Sequence, residues 1–554
     1  MYKLNKNEFL TIRFILFNSP IMKKYITLLL FLPFLTIASP LLQAQTDTII
    51  WSGNIELNAD QFFTQQQTLK VLPGTIVTAT GPYKIEIRGN IIVEGTFENP
   101  ILFTAADTTG LYDSASVAGG WHGIHLLDNP NGEAHFKYCT FEYGKANIPG
   151  SWFEDQGDID NLEGNQGGAF RITEYQNITF DHCNFYNNYA RTKGGAMYCR
   201  NAHDLIFTNC DFTHNKVLVD GGAIYYYEYI YNLLIEHCVF KRNMAWSVTS
   251  TGSIFSNGAT LYISSPGPPE TQFLIKNNYF YNNTSLSILS LANRKSFVVN
   301  NLFTNNFSRI VVIFSMLQSE HFAYNNIIAN NYYNNTGIPG VVSYSRQLHF
   351  YNNILWNNFS EDIAEDDLAL VWLSLPPDVQ NCLVWEGRID GENTIKKDPL
   401  FANPAPGYGP DYNGWEYDWS LLDDSPAINT GTPDTTGLNL PAFDLAGNPR
   451  VFGGRVDIGA YENQNIWVKI NDSPVYNTIK LYPNPGNERM VIEILPGMEG
   501  AEIEIVDSQG KVCMHEEIQH SPMVLYPHNL VAGIYFYRVY NETGILQSGK
   551  WVKR

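Results

Sequence analysis

The chain has 554 residues, 44% hydrophobic and 14% aromatic, with Lys+Arg 35 against Asp+Glu 55 and a formal net charge of −20. That apolar content excludes global disorder, and the acidic balance argues against nucleic acid and anionic membrane surfaces, both of which demand basic patches. Charged residues reach only 16%, so surface polarity must come from neutral groups such as Asn330-Asn331 and Asn334-Asn335. Seven cysteines in so long a chain are too few and too odd for a disulfide scaffold. The length allows three or four domains at roughly 100–200 residues each.

Targeting comes first in chain order. Met22-Lys23-Lys24 precedes an apolar run from Tyr25 to Ile37, and Leu42-Gln43-Ala44 stands before Gln45. A basic start, an apolar stretch too short for a membrane span and a small residue at the cleavage point predict a signal peptide over 1–44, with Met22 as its own start.

Internal repeats dominate the next stretch. Cys183-Asn-Phe185-Tyr-Asn-Asn188, Cys210-Asp-Phe212-Thr-His-Asn215 and Cys238-Val-Phe240-Lys-Arg-Asn243 share one frame. It begins at Cys139-Thr-Phe141 and continues through Asn278-Tyr-Phe280, Asn301-Leu-Phe303, Asn326-Ile-Ile328 and Asn353-Ile-Leu355 to Cys382-Leu-Val384. Gly167-Gly-Ala169, Gly194-Gly-Ala196 and Gly221-Gly-Ala223 recur in step at 27 residues. Such a period means a solenoid, propeller or array. In Phe180-Asp-His-Cys183-Asn-Phe185, apolar alternation breaks at a polar pair and resumes, which reads as two short strands around a bend. Helical periodicity is absent, and a propeller blade needs about 40 residues or more. The expected architecture is a parallel β-helix, with Cys or Asn stacked over Cys or Asn and Phe over Phe. Five of the seven cysteines then share one buried ladder position, where parallel Cβ vectors oppose bridging. His182 and His237, beside that position, are expected on the surface.

The stretch 75–395 resembles the right-handed β-helix domains of the pectate-lyase-like superfamily, a scaffold that serves lyases, hydrolases and non-catalytic adhesins. Asp398-Pro-Leu-Phe401, Ser425-Pro-Ala-Ile-Asn429-Thr-Gly431, Asp444-Leu-Ala-Gly447-Asn-Pro-Arg450 and Val456-Asp457-Ile-Gly459-Ala-Tyr461-Glu462 resemble the choice-of-anchor region that follows such solenoids. It is expected to cap the open edge of the stack, with Arg450 and Asp457 as a buried structural ion pair rather than catalytic groups. Leu481-Tyr-Pro-Asn-Pro485, Glu502-Ile-Glu-Ile-Val506, Ala532-Gly-Ile-Tyr535 and Ser548-Gly-Lys550-Trp-Val-Lys-Arg554 alternate like a small antiparallel β-sandwich and resemble the type IX secretion sorting domain of Bacteroidota. The resemblance implies export across the outer membrane, and a secreted or cell-surface location in a Gram-negative bacterium. The fold class expected is all-β: a right-handed parallel β-helix over 45–395, a cap over 396–463, a linker over 464–475 and a C-terminal antiparallel β-sandwich over 476–554.

Coil spacing locates the insertions. Cys139 to Cys183 spans 44 residues and Cys238 to Asn278 spans 40, against 27 and 28 between. Both excesses fall after the Cys-x-Phe-x-x strand, so two long loops are expected on one side of the solenoid, where scaffold loops commonly build sites. The first carries Trp152, Glu154, Asp155, Asp158, Asp160 and Glu163; the second carries Trp246. Connectors between them present Arg191, Lys193, Lys216 and Asp220. Uronate cleavage needs a cation to neutralise the carboxylate and a Lys or Arg base, roles that fit Arg191 and Lys193. Hydrolysis needs paired carboxylates, for which Asp220 and a loop acid suffice. Trp152, Trp246 and Lys216 are the candidate substrate contacts, and Asp155, Asp158 and Asp160 the candidate Ca²⁺ ligands. Against these stand the usual solvation of acidic loops and the mismatch of Asp-x-x-Asp-x-Asp to a calcium loop. Tyr225-Tyr-Tyr-Glu-Tyr-Ile-Tyr231 either stacks on sugars or packs at a coil turn. The leading expectation is a monomeric glycan-binding or adhesive protein whose partners are a polysaccharide or surface glycan and the type IX machinery. A polysaccharide lyase or glycoside hydrolase is the alternative, and a purely structural spacer the third.

Overall fold

The computed structural model describes residues 47–148, 163–229, 231–245, 258–265, 271–293, 295–315, 320–333, 342–344, 347–360, 370–372, 376–384, 389, 391–465, 479–494, 500–541 and 544–554. The expected signal peptide lies outside the described residues, as do Trp152, Asp155, Asp158, Asp160 and Trp246.

Twelve short strands, from Asn54–Leu57 through Cys139–Glu142 and Asp211–Thr213 to Leu383–Val384, stack in chain order as one parallel sheet. The remaining sides of each coil join a second parallel sheet of 27 strands, in which Phe170–Asp181 and Met197–Thr208 pair in register. Period-2 alternation sends every second residue inward. The inward rings of Phe103, Phe141, Phe185, Phe212, Phe240, Phe280 and Phe303 form a continuous column, with successive centroids 4.5–5.4 Å apart. Phe136, Phe180 and Phe207 form a facing column at 4.7 and 5.1 Å.

The bends explain the asparagine doublets. The first member of each pair takes a left-handed conformation, as at Asn277 (φ 58°), Asn282 (φ 52°) and Asn305 (φ 53°), which asparagine tolerates better than most residues. The second member is buried and builds a ladder. Asn188, Asn215, Asn243, Asn283, Asn306 and Asn331 each pass a side-chain N–H to the Oδ1 of the next, ending at Asn358, at 2.9–3.0 Å. His182 (φ 53°) and His237 (φ 55°) fill the left-handed slot before Cys183 and Cys238, with side chains 43% and 48% exposed. All seven cysteines are free thiols. Those in the ladder do more than fill space: Cys210 and Cys382 direct Sγ at the carbonyls of Phe180 and Phe350, at 3.4 and 3.2 Å. Asn278 and Asn301 serve the equivalent carbonyls of Ile235 and Ile275 through Nδ2.

The end of the core is closed by Ile389 and by residues 391–395, which bridge to Gln380 and Leu383. The Pro/Gly-rich segment that follows runs back along the flank of the stack. Phe401, Trp419, Ala427, Leu445, Ile458 and Ala460 pack on the outward residues Leu302, Ile327, Ile354 and Leu383 of the twelve-stranded sheet. The left-handed asparagines peg it down: Asn282 donates to the carbonyls of Pro410 and Tyr412, Asn305 to Gly407, Asn330 to Ala405 and Asn325 to Asp457, at 2.6–3.0 Å. Arg450 and Asp457 are both buried, but the carboxyl within 4.0 Å of the Arg450 guanidinium is that of Glu462, while Asp457 accepts the N–H groups of Asn429 and Asn463.

The C-terminal unit has its own core, including Met490, Ile503, Val539 and Trp551. A three-stranded antiparallel sheet (Lys480–Tyr482, Met490–Glu493, Met523–Leu525) accompanies a four-stranded one (Glu502–Val506, Val512–Glu517, Gly533–Asn541, Gly544–Lys553).

Candidate functional site

The connectors that follow the asparagine ladder stack as Lys145–Ala146, Tyr189–Ala190, Lys216–Val217 and Met244–Ala245. Residues 107–118, a loop that the repeat pattern did not single out, lie against them. The ammonium of Lys145, wholly buried, donates to the carbonyls of Gly110 and Ala118 at 2.8 and 2.6 Å. Burial holds its pKa below the ordinary lysine value. Asn147 donates to Ser114 and Ser116 at 3.2 and 2.7 Å. Arg191 is 6% exposed and donates from Nη1 to the carbonyls of Ile148 and Ser114, at 2.8 and 3.3 Å; burial lowers its pKa as well. Lys216 holds its ammonium 5.2 Å from the ring of Tyr112. Three of these four basic or amide groups therefore cradle backbone carbonyls of the protein's own loop.

Lys193 and Asp220 occupy one position on consecutive coils, joined by a backbone bridge. Each stands just before a glycine in the left-handed region, Gly194 (φ 70°) and Gly221 (φ 74°). A Cβ at Gly221 would meet Tyr225 at 2.6 Å, so the tight turn is what sets Asp220 beside the next strand. Asp220 Oδ1 accepts the N–H groups of Gly221 and Ala259, at 2.9 and 2.8 Å, and burial pushes its pKa up to about 7. The Lys193 ammonium sits 4.9 Å from the ring of Tyr225 and 5.9 Å from that of Tyr227. The structure thus brings Lys193 and Asp220 together and turns Arg191 and Lys216 toward the 107–118 loop.

Beside Lys193 an outward tyrosine column runs across three coils: Tyr198, Tyr225 and Tyr262 stack at 5.7 and 4.7 Å. The tyrosine-rich stretch divides by phase and by turn. Tyr225 and Tyr226 are buried, whereas Tyr227, Tyr229 and Tyr231 are exposed by 39%, 58% and 47%. Arg200 pairs with Glu228 at 3.2 Å, and the rings of His203 and Tyr231 meet edge-on at 4.6 Å. Among the described residues no group of three or more His, Cys, Asp or Glu side chains is placed to hold a metal ion.

The right-handed β-helix region family model matches residues 116–266 and 246–366, and the secretion system C-terminal sorting domain model matches residues 480–554. The chain is a right-handed β-helix protein with a C-terminal secretion sorting domain. No match to a curated protein was found. The sorting domain makes this β-helix protein a substrate of type IX secretion, placed outside or on the outer surface of a Gram-negative bacterium.

Proposed function

We propose that this exported β-helix protein binds a glycan, or adheres through one, at the tyrosine-bearing edge of its larger sheet. The observation that carries the reading is the exposure of Tyr227, Tyr229 and Tyr231 on one turn, next to the tyrosine column under Lys193. Phenolic rings present an apolar face and a polar tip, which suits the alternating faces and hydroxyls of a sugar. The turn is also pinned: Asn201 Oδ1 accepts the N–H of Tyr229 at 3.1 Å, and Asn232 donates to Asp204 at 2.5 Å. A held platform loses little conformational entropy on binding. The test is retention of the mature chain on immobilised polyuronates and neutral glycans, with and without calcium. Tyr229→Ala with Tyr231→Ala should abolish retention; unchanged retention would sink the assignment.

Cleavage of the bound glycan is the second reading. Asp220 favours it, because a carboxyl raised to about 7 and adjacent to Lys193 matches what a general acid needs near neutral pH. New reducing ends or unsaturated products, lost in Asp220→Asn, would establish it. A structural spacer predicts neither retention nor turnover.

A further inference from the structure

The solenoid corner that carries the exposed tyrosines is acidic along the stacking axis. Thr173 pairs in register with Leu127 and with Arg200, and Arg200 with Tyr227. The residues that follow them, Asp128, Glu174, Asn201 and Glu228, therefore hold one position on four consecutive coils. All four are in the left-handed region, with φ between 48° and 69°. Asparagine fills that conformation elsewhere, as at Asn277 and Asn282, and tolerates it better than glutamate does. Glu174 is exposed and meets no cation among the described residues. Asp204, three residues past Asn201, accepts from Asn232.

The basic groups around this corner are already engaged. Arg200 pairs with Glu228 at 3.2 Å, and Arg88 with Glu86 at 3.0 Å and with Asp128. The Lys193 ammonium lies over the rings of Tyr225 and Tyr227, and Arg171 is buried. Burial holds His203, in ring contact with Tyr231, below its ordinary pKa, so the imidazole is neutral at pH 7. The long loops bring no further cation: residues 149–162 and 246–257 contain neither Lys nor Arg, and the first holds Glu154, Asp155, Asp158 and Asp160.

We infer that the tyrosine turn takes an uncharged, hydroxyl-rich glycan and rejects polyuronates; this rests on the glycan reading above and names its substrate class. Sugar hydroxyls can donate to the carboxylates of Glu174 and Asp204 while the apolar face of the ring meets Tyr229 and Tyr231. A uronate would bring its own carboxylates into an acidic row whose cations are committed, and like charges brought together exclude the wrong partner. Glu228 enforces the choice, because it keeps the Arg200 guanidinium occupied.

The test measures retention of the purified full chain on an immobilised neutral glucan, mannan and galactan and on polygalacturonate, with a chelator present to remove bridging cations. The native chain should be held by a neutral polymer about equally at ~0.1 M and ~1 M salt, and about tenfold or more weakly by polygalacturonate at the lower salt. Glu174→Asn with Glu228→Asn places in both slots the residue that Asn201 shows this corner accepts, and it frees Arg200. That variant should gain polygalacturonate retention by about tenfold or more, and lose the gain at ~1 M salt. Circular dichroism checks its fold, and Glu228→Gln alone reads the same gain if the double variant misfolds. Equal retention of the native chain on polygalacturonate and on neutral polymers would overturn the inference and leave the glycan reading standing. A folded variant that gains nothing would do the same. Retention on neither kind of polymer would remove the glycan reading itself.

Discussion

Asn306 and Asn331 share one oxygen: Oδ1 of Asn331 accepts both the side-chain and the backbone N–H of Asn306, at 2.9 and 3.1 Å. Both residues are fully buried, so removing that oxygen leaves two donors without water or partner. Each such loss costs about 1–3 kcal/mol. Asn331→Ala is therefore expected to destabilise the C-terminal coils by about 2–6 kcal/mol. Urea unfolding with amide exchange read at residues 302–333 checks this.

The ladder thiols sit in a dry column, and burial pushes the pKa of Cys183, Cys210 and Cys238 well up. Thiolate is the reactive form, so these groups should stay unmodified in the native protein. An aromatic disulfide reagent should titrate Cys513 rapidly, as the exposed thiol, and the remaining six only after denaturation. Mass spectrometry of exported material should find all seven reduced or Cys513 alone modified.

The flank segment predicts a graded response along one sheet face. Ile327 and Ile354 are fully buried beneath it. Truncating either to Ala should cost about 2–5 kcal/mol, the range for a buried isoleucine. Thr140 and Asn184, at the matching position of earlier coils, lie outside that cluster, and their replacement by Ala should change stability by about 0.5 kcal/mol or less. Limited proteolysis should show segment 396–463 cut first in the Ile variants.

Acid and base should act on the same segment. Burial raises Asp457 to about 6 and Glu462 to about 9, from ordinary values of 3.8 and 4.5. A carboxyl whose folded pKa is raised binds its proton more tightly in the folded state. Its contribution is complete below the unfolded value and is lost as pH rises through the folded one. Thermal stability of the segment should thus decline from pH 3.8 to pH 9, most steeply between 4.5 and 6, where both carboxyls contribute, and through Glu462 alone above that. Glu462→Gln, which cannot ionise, should flatten the upper part of that profile; an unchanged slope above pH 6 would refute the assignment to Glu462.

The coil architecture was readable because its determinants are local and repeated. Cys-x-Phe-x-x-Asn specifies an inward ladder group, an inward ring and a second ladder group within one bend-to-bend strand, and the structure uses all three. The candidate site was less readable because its partners are distant in sequence. Arg191 and Lys216 look like free cations on a connector; their engagement by Ser114, Ile148 and Tyr112 follows from tertiary packing of a loop outside the repeat. One further signal lies in the repeat itself. The outward residue between ladder group and ring runs Thr140, Asn184, Asp211 and then Val239, Tyr279, Leu302, Ile327, Ile354, Leu383. That change from polar to apolar marks where the face becomes covered, and it coincides with the docking of residues 401–460.

The asparagine ladder is also directional. In every rung the earlier coil supplies the hydrogens and the later coil the oxygen, from Asn188 to Asn358. A coil is thus complete only when its successor has arrived. Each ladder amide also donates back to a carbonyl of the preceding coil, as Asn215 does to Phe185 and Asn243 to Phe212, so shortening the stack at either end orphans a buried donor. Growth of the folded stack toward the C-terminus thus resolves each coil's forward donors in turn, while the return bonds fasten every new coil to the one before it.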